Sequence, residues 1–285
     1  FWVNVCMKGV RKLIVKTLLE NRSVKERYET EHGLSLYIEA GERKILFDAG
    51  ETDAFIRNAK RMGVDLAEVD MMILSHGHYD HGGGIKYFMD LNKKALIYIH
   101  KEAFRPHASI KEGERKDAGI DDSLLHNNRV RLVDEDLYFG DELVLFSHIK
   151  GKEMVPRGNS RLLMKKDSGW IKDNFHHEQN LLIKEGNKRV LVVGCSHRGI
   201  VNILDQCEKH LDRPLTAVLG GFHLYDLDKN KEEDLSFLKG IAGRLEENNA
   251  SYYTGHCTGY DQFSLLKEMM GNRIHYLATG SIVEI

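Results

Sequence analysis

Four side chains that can bind metal ions stand within six positions of this chain: His76, His78, Asp80 and His81. Residues two apart in an extended turn point the same way, so His76 and His78 can hold one ion, while Asp80 and His81 face a place for a second. Imidazole nitrogens and a carboxylate oxygen suit zinc, iron or manganese. Small residues at 82–84, all glycine, let the backbone leave the turn without crowding. The run therefore predicts a site for one or two divalent ions, with zinc favoured over iron and manganese.

Three further histidines each follow a strand-like run directly, at a glycine turn: His197, His223 and His256. This placement puts them along one edge of a sheet, where the histidines of the first half also emerge. We predict His197 as a ligand of the first ion. His223 and His256 compete for the last ligand position, and the one left over is expected to bind substrate.

The elements that must position these residues follow from the apolar pattern. Strands are predicted at Leu13 to Leu19, Leu34 to Glu39, Lys44 to Phe47, Met71 to Leu74, Ala95 to Ile99, Asn180 to Ile183, Arg189 to Val193, Thr216 to Leu219, Ser251 to Thr254 and, last, Ile274 to Leu277. Helices are predicted at Thr52 to Met62, Ile85 to Leu91, Ile200 to His210, Lys231 to Glu247 and Gln262 to Met270. Strands first, then alternating helices and strands, twice over, predict an α/β fold with two mixed sheets between helical layers, an αββα sandwich. We expect one domain over residues 1–285.

A long stretch between the halves, at about residues 101–177, shows fewer periodic elements, and we predict an insertion that covers the active site. Its segment 150–172 carries seven basic residues against two acidic ones: Lys150, Lys152, Arg157, Arg161, Lys165, Lys166 and Lys172 against Glu153 and Asp167. A cationic lid over a metal site favours an anionic substrate, such as a phosphorylated one. Neutralising Arg157 and Arg161 is expected to raise the KM.

Composition narrows the function classes. The 285 residues are 42% hydrophobic, enough for a substantial core, and the net charge of −2 gives no general electrostatic case for nucleic acid. No apolar run approaches the roughly 20 residues of a membrane span, and no signal-peptide pattern opens the chain. The four cysteines, Cys6, Cys195, Cys207 and Cys257, lie far apart without C-x-x-C spacing, so we expect a reducing cytoplasm and no disulfide framework. The sequence gives no indication of oligomeric state.

The metal-binding run resembles the H-x-H-x-D-H signature of the metallo-β-lactamase superfamily. It also comes in the expected setting, after a strand, and Asp48 at the end of the preceding strand matches a further aspartate of that superfamily. The resemblance implies the αββα fold, a metal-dependent activity, and for Asp48 the orientation of a ligand histidine rather than contact with the metal.

The second half departs from the superfamily pattern. Hydrolases of this group commonly carry Gly-Asp where this chain has Gly194-Cys195, and the aspartate bridges two metals. Its loss predicts a weaker second metal site, or one completed by substrate, and argues against efficient β-lactam hydrolysis. His177, ahead of the strand, loosely matches another ligand position.

Five motifs instead resemble the pterin-synthase-like branch, which includes the archaeal dihydropterin–ribofuranosylaminobenzene phosphate synthase. They are Asn21-Arg22-Ser23, Glu31-His32-Gly33-Leu34-Ser35, Gly194-Cys195-Ser196-His197-Arg198-Gly199-Ile200, Gly220-Gly221-Phe222-His223-Leu224 and Gly255-His256-Cys257-Thr258-Gly259. The resemblance runs from about Leu13 to the end of the chain.

Our leading hypothesis is hydrolysis of an anionic small molecule by metal-activated water. His76, His78 and His197 hold one metal, while Asp80, His81 and either His223 or His256 hold the other; Asp80 also accepts a proton, and His32 and Arg198 contact the anion. The alternative is a transferase that releases diphosphate, with Trp170, Phe175 or Phe104 stacking a pterin. A non-catalytic metal-binding protein is a further alternative, and a nuclease or flavin-linked electron carrier fits less well.

Overall fold

The computed structural model describes residues 12–226 and 231–285, which contain eighteen strands and six α-helices. The strands are β1 (Ile14–Leu19), β2 (Ser35–Ala40), β3 (Arg43–Phe47), β4 (Met71–Ile73), β5 (Leu96–His100), β6 (His107–Lys111), β7 (Glu114–Asp117), β8 (Val130–Val133), β9 (Leu137–Phe139), β10 (Leu143–Phe146), β11 (Leu162–Lys166), β12 (Gly169–Lys172), β13 (Asn180–Glu185), β14 (Lys188–Val192), β15 (Ala217–Leu219), β16 (Ser251–Thr254), β17 (Ile274–Tyr276) and β18 (Ile282–Glu284). The helices are α1 (Ala54–Arg61), α2 (Tyr79–Gly82), α3 (Ile85–Leu91), α4 (Ile200–Cys207), α5 (Glu232–Glu246) and α6 (Tyr260–Met270).

Two seven-stranded sheets repeat one arrangement. The first has the order β18-β1-β2-β3-β4-β5-β8, and the second the order β17-β16-β15-β14-β13-β10-β9. In each sheet, four consecutive strands pair antiparallel and the remaining pairs are parallel. The parallel strands matter for function, because their carboxyl ends open on the same edge of each sheet.

Alternation along the strands sorts the side chains into layers. On β3, Ile45 and Phe47 face the second sheet, whereas Leu46 between them faces helices α1 and α3. On β14, Val192 faces the first sheet and Leu191 faces α4, α5 and α6. The order is therefore helix, sheet, sheet, helix, and the predicted αββα sandwich is confirmed.

Residues 101–177 contribute to three sheets. Strands β6, β7, β11 and β12 form a small antiparallel sheet of their own, with the order β12-β11-β6-β7. Between them, β8 adds to the edge of the first sheet, while β9 and β10 add to the second. Only the small sheet and its connections therefore stand apart from the sandwich.

The sequence pattern predicts that the strand at Ile274 to Leu277 is the last one, and this is wrong. A further strand, β18, follows it and pairs with β1 at the edge of the first sheet. Its three residues are too few for a periodic signal. Cys6 lies outside the described residues, and no helix within them is long and apolar enough to cross a membrane.

Candidate metal centre

The seven predicted metal ligands converge at one edge of the sandwich. The loop after β4 carries His76 and His78, and α2 follows with Asp80 and His81. The loops after β14, β15 and β16, three neighbouring parallel strands, carry His197, His223 and His256. All seven side chains are buried: His76, His78, Asp80, His81, His197, His223 and His256.

Three imidazoles form what we call the imidazole subsite: His76, His78 and His197. One donor atom from each lies within 4.8 Å of the others. The Nδ1 of His197 donates to Asn159 Oδ1 (2.9 Å), and the Nδ1 of His76 donates to Ser75 Oγ (2.8 Å), whose own proton goes to Asp48. These partners fix the tautomers, so the Nε2 lone pairs of His76 and His197 stay free. Both Nε2 atoms are buried and have no hydrogen-bond partner among the described residues, which is what a metal-binding role requires of them.

Four other donor residues form what we call the mixed subsite, in which three donors surround the Nε2 of His81: Asp80, His81, Cys195 and His256. His81 Nε2 lies 3.1 Å from Cys195 Sγ, 3.2 Å from His256 Nε2 and 3.7 Å from Asp80 Oδ2, and the last two atoms are 3.3 Å apart. Bonds of about 2.0–2.3 Å to a tetrahedral zinc ion separate its ligands by about 3.3–3.8 Å. The donor set therefore fits a divalent ion in both chemistry and spacing.

The hydrogen bonds of His81 and His256 also support a metal-binding role for the mixed subsite. The Nδ1 of His81 donates to Asp48 Oδ2 (2.6 Å) and that of His256 donates to Asn21 Oδ1 (2.8 Å). With Nδ1 engaged in this way, the Nε2 of each neutral ring carries the lone pair that a metal ion can take. His256, rather than His223, thus completes the set around His81. Cys195 stands where the sequence comparison expected an aspartate, so a thiol takes the place of the carboxylate.

His223 lies over the imidazole subsite instead. Its ring centroid is 4.2 Å from that of His197, and neither ring nitrogen has a hydrogen-bond partner among the described residues. It also lines the cavity above the subsites. This position suits contact with a substrate or a further ligand role.

Asp48 orients residues of both subsites through hydrogen bonds. Its buried carboxylate accepts hydrogen bonds from the backbone N–H and the Oγ of Ser75, both at 2.7 Å, and from His81. One carboxylate thereby orients a histidine in each subsite. Its backbone is left-handed, with φ of 59°, and so is that of His223 and His256, with φ of 51° and 50°. Non-glycine residues in this region are strained, which is common where a side chain must be aimed at a site.

Two buried glutamates hold the loops of the second half, and the sequence motifs gave no signal for either. Glu178 accepts the backbone N–H groups of His197 (2.6 Å) and Arg198 (2.9 Å), and burial raises its pKa to about 7. Glu20 accepts the N–H of His256 and the hydroxyl of Tyr276 in the same way. These long-range contacts exist only in the folded chain.

His177 does not face the centre as a ligand. Its donor atom lies near those of His78, His107 and Asp173, but its Nδ1 accepts the N–H of Gly77 (2.9 Å). The Nε2 therefore carries the proton and donates to Asp173 (3.2 Å), which leaves no lone pair for a metal. Asp173 in turn lies 4.0 Å from His78 Nε2, and the network braces the loop between the two histidines of the motif.

Electrostatics differ between the subsites. Burial, with the neighbouring imidazoles, lowers the pKa of His76, His78 and His197 well below 6.5, so these rings are neutral donors. Burial also acts on His81, but Asp48 and Asp80 outweigh it and raise its pKa to about 9. Burial opposes ionisation of Asp80, yet His81 and His256 lower its pKa and keep it charged.

A cavity with an empty volume of about 510 Å³ opens above both subsites. Its lining includes His32, Tyr79, Lys111 and Tyr225. The Nδ1 of His32 accepts from Asn21, so its Nε2 donates to Asp80 (3.3 Å). Lys111 brings a positive charge to the mouth.

The predicted arginines lie in different surroundings. Arg198 donates to the backbone oxygens of Asn174 (3.2 Å) and Ile149 (2.7 Å), so it braces loops and is not among the described residues that line the cavity. Arg157 pairs with Asp234. Arg161 donates to the hydroxyl of Tyr225 (3.2 Å) and so lies beside the cavity.

The aromatic residues suggested for pterin stacking are engaged elsewhere. Phe175 packs face to face on His197, with ring centroids 4.4 Å apart. Trp170 lies under Arg115, and Phe104 packs against the core beside the first sheet. Tyr79 and Tyr225 are the aromatic side chains that the cavity offers.

An αββα sandwich with a histidine-rich metal centre at the edge between its two sheets defines a class of metal-dependent enzymes. The profile of the metallo-beta-lactamase superfamily matches residues 29–239, and the chain belongs to this superfamily. Its members typically bind divalent metals and act on small molecules.

Two relatives from Methanocaldococcus jannaschii extend over most of the chain. An uncharacterized protein is 27% identical and covers 95% of this chain and 100% of its own length. The 7,8-dihydropterin-6-methyl-4-(beta-D-ribofuranosyl)-aminobenzene-5'-phosphate synthase is 29% identical and covers 90% of each chain. The crystal structure of Tm1679, a metal-dependent hydrolase of the beta-lactamase superfamily, is 28% identical, with a TM-score of 0.80 over 96% of this chain and 99% of that one. The resemblances stated from the sequence, to the superfamily and to the synthase branch, are confirmed.

Proposed function

We propose that the protein is a hydrolase that uses one or two divalent metal ions, zinc foremost, to cleave an anionic small molecule with activated water. The observation that carries this proposal is the convergence of free Nε2 lone pairs, a carboxylate and a thiol beneath one cavity. A bound divalent ion would act as a Lewis acid and lower the pKa of water towards about 7.

The residues of the chain have separate tasks in this proposal. His76, His78 and His197 would hold one ion, and Asp80, His81, Cys195 and His256 would hold the other. Asp48 and Asn21 keep the imidazole rings in the tautomer that offers Nε2. His32 lines the cavity and donates its Nε2 proton to Asp80, so it would hold that carboxylate in place beside the substrate.

The mouth of the cavity supports an anionic substrate. Lys111 is exposed and lines it, and Arg161 lies against Tyr225 at its rim. Positive charge at a cleft raises the local concentration of anions. The positively charged region at the cavity mouth is smaller than the cationic lid predicted from residues 150–172, because Arg157 pairs with Asp234.

The test is turnover of a panel of phosphomonoesters, phosphodiesters and other anionic esters by metal-loaded protein. We expect hydrolysis of at least one class, lost after chelation and restored by zinc or manganese. His126→Ala, at an exposed position away from the centre, serves as the matched control for His76→Ala. Equal activity of the two variants would contradict the proposal.

A transferase is the second candidate, favoured by the 29% identical synthase. The same donors suit either reaction, because both build negative charge on phosphate oxygens. Incubation with a dihydropterin diphosphate and an arylamine ribose phosphate separates the two. Diphosphate together with a coupled product supports transfer, whereas phosphate or diphosphate without coupling supports hydrolysis.

A further inference from the structure

Two cysteines from different loops meet in the cavity. Cys195 follows β14 and Cys257 follows β16, yet their sulfur atoms lie within 4.8 Å of each other and both line the cavity. The Sγ of Cys257 also lies 3.7 Å from the backbone oxygen of Cys195. Both side chains are free thiols.

The fold makes room for this pair. A Cβ on Gly221 would lie 2.5 Å from Cys257 Sγ, so only a glycine at 221 admits the sulfur at this position. On its other side, Cys195 Sγ faces His81 Nε2 at 3.1 Å. Cys195 therefore stands between a metal donor set and a second thiol.

We propose that Cys195 and Cys257 form an oxidation site whose disulfide removes Cys195 from the mixed subsite. The oxidant is a hydroperoxide. One thiol attacks the peroxide, the O–O bond breaks, and a sulfenic acid forms with release of water or an alcohol. The second thiol then attacks the sulfenic sulfur, so that an S–S bond forms and a second water leaves. Two thiols lose two electrons in all, and the peroxide gains them.

The step requires the two sulfurs, which lie within 4.8 Å of each other, to approach the roughly 2.05 Å of a disulfide bond. A disulfide sulfur is no longer a thiolate donor, so Asp80, His81 and His256 would hold the ion without it. The loss of metal rests on the proposed role of Cys195 as a ligand, whereas formation of the disulfide does not.

Cys207 supplies the internal comparison. It is equally a buried thiol, but it lies in the apolar core at the end of α4 and is not among the described residues that line the cavity. We expect no reaction at Cys207 in the folded protein.

The experiment treats metal-loaded protein with hydrogen peroxide, maps crosslinked peptides by mass spectrometry, and measures released metal with a chromogenic chelator. We expect a Cys195–Cys257 crosslink and release of one of the bound ions, both reversed by dithiothreitol and added metal. Cys257→Ala should keep the metal content of the wild type and show neither the crosslink nor the rapid release. Cys207→Ala should behave as the wild type.

Three outcomes overturn the inference: no crosslinked peptide, a crosslink with all metal retained, or release from Cys257→Ala as fast as from the wild type. The second leaves the hydrolase proposal intact. Conversely, a protein that forms the crosslink and releases metal but hydrolyses nothing defeats the hydrolase proposal and leaves this inference standing.

Discussion

The two subsites share one cavity but differ in charge. The imidazole subsite offers three neutral rings, two of them oriented by the neutral side chains of Ser75 and Asn159. The mixed subsite offers a carboxylate and a thiol, and its His81 donates directly to the Asp48 carboxylate. Neutral donors leave the full positive charge on an ion for polarising a substrate, whereas anionic donors offset it. We therefore expect an ion in the imidazole subsite to polarise a substrate more strongly, and an ion in the mixed subsite to be more sensitive to pH and oxidation.

Removing an imidazole donor is expected to have the largest effect. His76→Ala deletes one of three ligands of the imidazole subsite, so turnover should fall to background while the fold persists. Metal analysis, circular dichroism and an esterase panel check this, with His126→Ala as control. Unimpaired turnover would show that this subsite is not the reactive one.

Removing the thiol should weaken the mixed subsite most, although Cys195 Sγ also lies within 4.8 Å of donor atoms of His76 and His197. In a protein that binds two ions, Cys195→Ala is expected to retain one, because the imidazole subsite keeps its three imidazole donors. Cys195→Asp should retain two, since a carboxylate replaces the anionic donor. Elemental analysis of the three proteins decides the point, and two ions in Cys195→Ala would exclude Cys195 as a ligand.

The charge of His81 should show in the metal-free protein. Its folded pKa of about 9 lies above the ordinary value of 6.5, so the proton stabilises the fold fully below pH 6.5 and ceases to do so as the pH rises through about 9. The effect on the free energy of unfolding is at most about 3 kcal/mol. Denaturant titrations at pH 6, 8 and 9.5 measure it. A His81→Gln protein with the same slope against pH would remove His81 as the cause.

A substitution at Asp48 tests how strongly this carboxylate couples the two subsites. Asp48→Asn keeps the shape but weakens the hydrogen bond to His81, and changes of this kind lower metal affinity about 10- to 100-fold. We expect the larger loss in the mixed subsite, because among the described residues the carboxylate is hydrogen-bonded to the imidazole subsite through Ser75 and not directly. Competition with a chelator of known affinity measures both ions. Equal losses would mean that the link through Ser75 is as strong as the direct bond.

The smallest effect is expected at the cavity mouth. Arg161→Ala should raise the KM for an anionic substrate about two- to fivefold, in line with the energy of an exposed ion pair. Arg157→Ala is the matched control, since its guanidinium is held by Asp234 and stacks on Phe237. A KM raised equally by both changes would favour the broader cationic lid predicted from the sequence.

The imidazole subsite and the mixed subsite also differ in how well the sequence predicts them. Histidine and aspartate in a short run, and histidines after strand-like segments, predict the convergence of seven donors, because parallel strands end at a common edge. The apolar alternation of β3 and β14 likewise predicts the sandwich. At Cys195 the sequence pattern predicts a lost ligand, because a departure from a pattern does not reveal what the substituted side chain contacts.

The sequence by itself determined the types of donor at the candidate metal centre and the layered fold, since residue types and apolar periodicity are local properties of the chain. Tertiary structure decided which donor atoms face that centre. The choice of His256 over His223, the exclusion of His177, and the bracing of the second-half loops by Glu20 and Glu178 all depend on hydrogen bonds between distant residues. A tautomer is set by the partner of the opposite ring nitrogen, and that partner is known only when the chain has folded.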